Sequence, residues 1–322
     1  MNDKQKIIVK SEQAKTRLDV FLSEEMSITR SQVKKMIDRS QVLVNGELPT
    51  KAGERVHDKD EVEVKSSLEV KPKEIIEKEQ KIFDIEIVEE TKDFVVVNKP
   101  AGLLVHPTEA NEPNTLTSYL VKKYPKIIKV GDSEVRPGIV HRLDKEASGL
   151  MVVAKTQKMF EHLKKQFQAR TVYKEYGVLV YGNIDKRHDV IDFDIDRGKT
   201  GQMVSRPKMD KMKLKNVGKD QPGKGSLTEF WKEKELIRFT LLKVKIHSGR
   251  THQIRVHMYA FNHPVVGDKI YYNKNLVKKS DKALNRLFLH SRKLCFNNLK
   301  DEEVCFESNL PEELSSYLEK LK

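Results

Sequence analysis

The sequence predicts an α+β protein in two domains, on three observations. Its 322 residues exceed what one ordinary hydrophobic core organises. Near the start, two short amphipathic helical patterns lead into a hairpin signal. The longer remainder contains several strand-length runs of branched or alternating apolar residues, with helical patterns between them.

The first domain is expected over residues 15–65. Thr16-x-x-Asp19 has the spacing of a capping box at a helix with Leu18, Phe21 and Leu22 on one face. Thr29-x-x-Gln32 repeats it ahead of Val33, Met36 and Ile37. Val42-Leu43-Val44 runs into an Asn45-Gly46 turn, and Glu61 to Val64 alternate as a half-exposed strand. Residues 66–81 are charged, lack aromatics and include Pro72, so they read as a linker of mixed charge before a second domain over 82–322.

That second domain opens with a strand, Phe94 to Val97, closed by Pro100 and Gly102 in a tight turn. A short helix over 115–124 carries Leu116, Leu120 and Val121. Residues 137–156, PGIVHRLDKEASGLMVVAKT, place Asp144 between the apolar runs Ile139-Val140 and Leu150 to Ala154, with Ala147-Ser148-Gly149 as the turn. By chemistry alone Asp144 is a charged turn residue, although Arg142 and Lys145 beside it would favour its ionised form. A helix follows Thr156 with Met159, Leu163 and Phe167 as its apolar stripe. Val172 to Val180 alternates as a strand with Tyr176, Val178 and Val180 on one side, and 239–246 does the same with Leu242, Val244 and Ile246. Thr251 is placed to cap a helix running through Met258, and LPEELSSYLEKL reads as a capped closing helix.

The formal net charge is +13, yet residues 1–80 hold sixteen basic and sixteen acidic side chains, so the excess lies wholly in the domain with Asp144. Residues 197–224 alone carry nine basic against two acidic side chains, with two prolines and four glycines, and read as an irregular basic loop. Such a distribution suits a polyanionic partner such as RNA. No apolar run has the length of a membrane span and the first ten residues lack a signal core, so the expected location is the cytoplasm. Cys295 and Cys305, each followed by phenylalanine, are expected as buried thiols in strands rather than a disulfide. No metal is expected: His252 and His257 are five apart and point to different faces of a helix. With no heptad pattern or obvious apolar patch, a monomer is the default.

GIVHRLDKEASGLMVVAKT resembles the signature of the RluA-type pseudouridine synthases, H-R-L-D-x-x-[TS]-S-G-L. NKPAGLLVHP at 98–107, the K-x-Y of Lys174 to Tyr176, GRTHQIRVH at 249–257, HPVVGDKIY at 263–271 and RLFLHSRKLCF at 286–296 extend the likeness in order. Residues 17–19 (RLD), TRSQ and VLVNG at 42–46 resemble an S4 RNA-binding domain, which together suggests the RluD-like subgroup. The resemblance implies a small S4 domain joined to a mixed, mainly antiparallel sheet with flanking helices. The implied activity is isomerisation of uridine to pseudouridine in RNA, with no cofactor, most readily in large-subunit ribosomal RNA. Transfer RNA as substrate, and a noncatalytic S4-containing assembly factor, are the competing readings. Carried over residue by residue, Asp144 is the nucleophile or sugar-activating group, Arg255 its salt-bridge partner through a planar fork, and Tyr176 the ring against the target base. Arg142 would fill the place of the flipped base, while Lys99, His106, Arg250, His252 and Gln253 would contact RNA. In the S4 domain that role falls to Arg30, Lys34, Lys35 and Arg39. Two departures from the family pattern stand out: Ser40 where glycine is usual after the helix, and Ala147 where threonine is usual.

Overall fold

The computed structural model describes residues 4–26, 28, 30–65, 83–108, 112–133, 135–198, 201–207 and 223–321. The expected linker 66–81 lies outside them, as do Thr29 and the side chains of Arg30, Gln32 and Lys35. The chain divides into two compact units, Met1–Glu79 and Gln80–Lys322.

In the first unit, strand β1 (Lys4–Ile8) precedes helices α1 (Leu18–Glu25) and α2 (Arg30–Asp38) and strands β2 (Val42–Val44) and β3 (Glu61–Lys65). The sheet order is β1-β3-β2, all antiparallel, and β1 is an element that the helix and hairpin signals did not announce. Leu18, Phe21, Leu22, Val33, Ile37, Val42, Val62 and Val64 form its core. The expected cap at Thr16 is not made. The N-cap is Arg17, without a side-chain cap bond, and its guanidinium instead grips Asp19 with two hydrogen bonds of 3.0 and 3.1 Å. Ser40 has a left-handed backbone, φ +57°, and its amide and that of Gln41 return to Ile37 and Met36. That is the helix-ending geometry for which glycine carries no steric penalty.

The second unit is built on one large sheet. Its strands are β4 (Glu86–Glu90), β5 (Phe94–Lys99), β6 (Ser148–Ala154), β7 (Tyr173–Tyr181), β8 (His188–Arg197), β9 (Met203–Pro207), β10 (Leu227–Glu235), β11 (Phe239–Ile246), β12 (Leu289–Asn297) and β13 (Glu303–Glu307). Their order is β4-β5-β6-β12-β7-β11-β10-β8-β9, with β13 on the second half of β12. Every pairing is antiparallel except β6 with β12. Helices α3 (Leu116–Lys123), α4 (Gln157–Ala169), α5 (Gln253–Ala260) and α6 (Glu312–Glu319) flank it.

Branched, uninterrupted strands such as β5 and β6 are buried on both faces, which is why they read as continuous apolar runs. Thr156 caps α4 through the Met159 amide, and Met159 and Leu163 are fully buried. Thr251 does not cap α5, whose N-cap is His252 in a left-handed conformation, and α6 starts at Pro311 without a side-chain cap. Ile139 makes only an isolated bridge to Val153, and the turn before β6 falls at Lys145-Glu146 rather than at Ala147 to Gly149. The basic segment is not wholly irregular, since β9 pairs with β8; residues 208–222 lie outside the described ones.

Cys295 and Cys305 both lie in strands, but they are joined as a disulfide. The hairpin register places them directly opposite, with Cα atoms 4.1 Å apart, which spacing along the chain did not reveal. Among the described residues no helix is long and apolar enough to cross a membrane.

Candidate active site

The loop bearing Asp144 runs into β6, which forms with β12 the only parallel strand pair among the described residues. Gly149 makes that approach possible: its φ is +116°, and a Cβ there would overlap the Ser291 carbonyl of β12. From the other side the loop is tied to the turn after β5. The Gly102 amide donates to the Lys145 carbonyl at 2.8 Å. Lys99 Nζ donates to the carbonyls of Pro100 (2.9 Å), Leu103 (2.8 Å) and Lys145 (3.1 Å).

Lys99 therefore corrects the expectation of an RNA-contacting lysine. It is 0% exposed, and its three N–H donors meet three carbonyls beneath the loop. Burial draws its pKa down to about 7, against the pull of the Asp144 charge in the opposite direction.

Asp144 sits in a small cavity of about 90 Å³ whose walls include Leu143, Ala147, Tyr176, Ile246, His252 and Arg255. Its Oδ2 accepts from Arg255 Nη1 at 2.9 Å, while Arg142 and Lys145 form no ion pair with it. The arginine fork is aimed elsewhere. Arg255 Nε and Nη2 bind Asp268 at 2.7 and 2.9 Å, so the two-bond pairing expected with Asp144 is made with Asp268. Burial works against the Arg255 charge, but Asp268 and then Asp144 outweigh it, and the guanidinium is held more firmly protonated than usual.

Asp268 is fully buried, and its Oδ1 also accepts from the amides of Ile270 and Tyr271 at 2.8 and 3.0 Å. Gly267 lets the chain reach this point, with φ +77° and a missing Cβ that would overlap the Arg286 carbonyl. The signal for Asp268 in the sequence was a single acid directly after glycine in HPVVGDKIY. Its pairing needed tertiary contact to be seen.

Tyr176 faces the cavity from β7 and is nearly buried. Burial, then the Asp144 charge, raises the pKa of its phenol. His252 has its Nε2 3.9 Å from Asp144 Oδ1 and its Nδ1 3.0 Å from the Tyr271 hydroxyl. That hydroxyl in turn accepts from the Met203 amide of β9, so one chain of contacts runs from the basic hairpin to Asp144. Burial lowers the His252 pKa, while Asp144 opposes that.

Gln253 is a second correction. Its Oε1 accepts from Ser248 Oγ and the Arg250 amide, and its Nε2 donates to Leu227 O and Thr228 Oγ1, which leaves it nothing to offer RNA. Arg142 is exposed at the mouth, and Arg250 and His106 line an adjoining cleft. In the other unit Lys34 and Arg39 are exposed on or just beyond α2. No group of histidine, cysteine and acidic side chains among the described residues has metal-binding geometry.

The model of the RNA pseudouridylate synthase family matches residues 93–260, just over half the chain and the stretch holding Asp144, Tyr176 and Arg255. The chain belongs to that family. An S4 domain model matches residues 16–62. A synthase from Aquifex aeolicus, described as an uncharacterized RNA pseudouridine synthase, is 37% identical over 319 residues, covering 95% of this chain and 94% of the relative. The ribosomal large subunit pseudouridine synthase D of Yersinia pestis is 33% identical over 320 residues, with 95% and 91% covered. Among solved structures, human RNA pseudouridylate synthase domain containing 4 aligns with a TM-score of 0.58 at 25% identity, over 73% of this chain and 93% of its own. Asp268, which secures Arg255, falls outside the matched family segment, whereas every wall of the Asp144 cavity except Leu289 falls inside it.

Proposed function

We propose that this synthase converts uridine to pseudouridine in large-subunit ribosomal RNA, with Asp144 as the reacting carboxylate and without a cofactor, in the cytoplasm. The observation that carries the reading is the single carboxylate facing a base-sized cavity, 17% exposed and held by an arginine that a second, buried carboxylate locks in place. In the isomerisation the C1′–N1 bond breaks, the base turns, and C5 joins C1′. The C5 proton leaves and N1 ends protonated, so atoms balance with no redox step.

Asp144 is placed to attack or stabilise the electron-poor sugar or base carbon, and Arg255 keeps it charged and aimed. Tyr176 offers a flat face for the uracil, and Arg142 at the rim is positioned to occupy the vacated stack. Ribosomal RNA is favoured over transfer RNA by the S4 domain and by relatives whose descriptions name the ribosomal large subunit.

Pseudouridine mapping of ribosomal and transfer RNA from cells with and without the gene tests the substrate. A site lost from ribosomal RNA is expected, and loss confined to transfer RNA would overturn that choice. Asp144→Asn is expected to abolish product while leaving RNA affinity intact. Full activity in that variant would refute the role of the carboxylate.

A further inference from the structure

Next to the Asp144 cavity, and sharing Arg142, Tyr176, Ile246, Gly249 and Arg250 with it, lies a cleft of about 430 Å³. Five cationic side chains line it, Arg136, Arg142, Arg170, Lys174 and Arg250, and no carboxylate does. Phe167, Ile139, Val140 and Ile246 provide apolar wall.

Lys174 is the decisive member. It is 6% exposed, yet its Nζ makes no hydrogen bond or ion pair with any described residue, and lies 5.6 Å from the centre of the Phe167 ring. It sits two residues before Tyr176 on β7, so strand alternation turns both side chains to the same face. Burial, then the Arg170 charge, draws its pKa down to about 8. At the cleft two polar atoms, Arg250 Nε and His106 Nδ1, are buried without a partner, and His106 is itself 6% exposed. Buried cations are normally paired, because an unpaired one loses its hydration without return. Converging like charges with unused donors and no internal acid form a seat for an external anion.

We propose that this cleft is a phosphate subsite, in which Lys174 and Arg170 hold a backbone phosphodiester of the RNA strand next to the target nucleotide. The inference rests on RNA being the substrate. The phosphodiester supplies the charge the cleft lacks, and its ribose and base lie against Phe167 and Ile139. Substrate is thereby held on both sides of Tyr176: the uracil toward Asp144, the neighbouring phosphate toward Lys174.

The test measures binding of the full-length protein to a labelled single-stranded oligouridylate by fluorescence anisotropy across a salt series. Lys174→Met keeps the length of the side chain, and Arg170→Gln serves as a second variant at an exposed position. Each is expected to weaken binding about tenfold at low salt and to flatten the log–log salt dependence by about 0.7, one single-strand phosphate. Lys300→Met, at the exposed turn between β12 and β13, is expected to change neither. An oligouridylate with uncharged methylphosphonate linkages is expected to bind wild type and Lys174→Met alike. Wild-type affinity and slope in both variants would overturn the subsite, and so would an equal loss on the uncharged strand. Absence of pseudouridine formation by the wild type, with these binding shifts intact, would instead remove the isomerase reading and leave the phosphate seat standing.

Discussion

Lys99 and Lys174 flank the same active site and are buried to nearly the same degree, 0% and 6% exposed, but their surroundings are opposite. Lys99 gives all three of its N–H bonds to carbonyls of the turn after β5 and of the Asp144 loop. Lys174 gives none to any described residue and shares its cleft with four arginines. The first lysine is consumed by the scaffold, whereas the second retains its donors for something outside the protein. Burial of a cation is therefore a poor guide to its role until its partners are counted.

Arg255 is the limiting case of a partnered cation, and disturbing it has the largest expected effect. Arg255→Lys keeps the charge but loses the fork shared between Asp268 and Asp144, so turnover on RNA should fall by at least about 10²-fold. Single-turnover kinetics checks this, and wild-type rates in that variant would end the account of how Asp144 is aimed.

The two lysines should then separate in stability. Lys99→Met leaves three carbonyls beneath the loop without their donor and should destabilise the protein by about 1–3 kcal/mol. Lys174→Met removes an unpaired buried cation and should be neutral or stabilising. Denaturant titration of both variants decides it; equal losses would erase the distinction.

Their pH response sharpens it further. Lys174 titrates near 8 when folded and near 10.5 when unfolded, so between those values the unfolded chain binds more protons and this residue's contribution to stability rises with pH. Over the same window the ammonium is lost and RNA affinity should fall, with Lys174→Met flattening both trends. Affinity and melting measured from pH 7 to 10 would show this.

The smallest effect belongs to the other unit. Ser40→Gly relieves a left-handed residue at the end of α2 and should stabilise that unit by about 0.5–1 kcal/mol without changing the salt dependence of oligouridylate binding.

Much of this molecule was legible in its sequence. Period-2 alternation marks β7 and β11, period-3.6 stripes mark α1, α2 and α4, and the motif order singles out Asp144, Tyr176 and Arg255. Alternation even contained the clue to Lys174, a lysine in phase with Tyr176, Val178 and Val180. These signals are local, because side-chain direction follows backbone repeat within one element.

What local repeat cannot encode is which residues meet across elements. One carbonyl acceptor of Lys99 lies 46 residues on, at Lys145, the fork of Arg255 is claimed by Asp268 thirteen residues on, and Cys295 meets Cys305 only through hairpin register. Helix starts at Arg17 and His252 likewise depended on backbone and neighbours rather than on the nearby threonines. The sequence by itself determined the strongly periodic helices and strands, such as α1, α4, β7 and β11, and the chemistry-bearing loop. Only the tertiary structure decided which charges are spent on one another and which remain unpaired, because pairing depends on distances that folding creates.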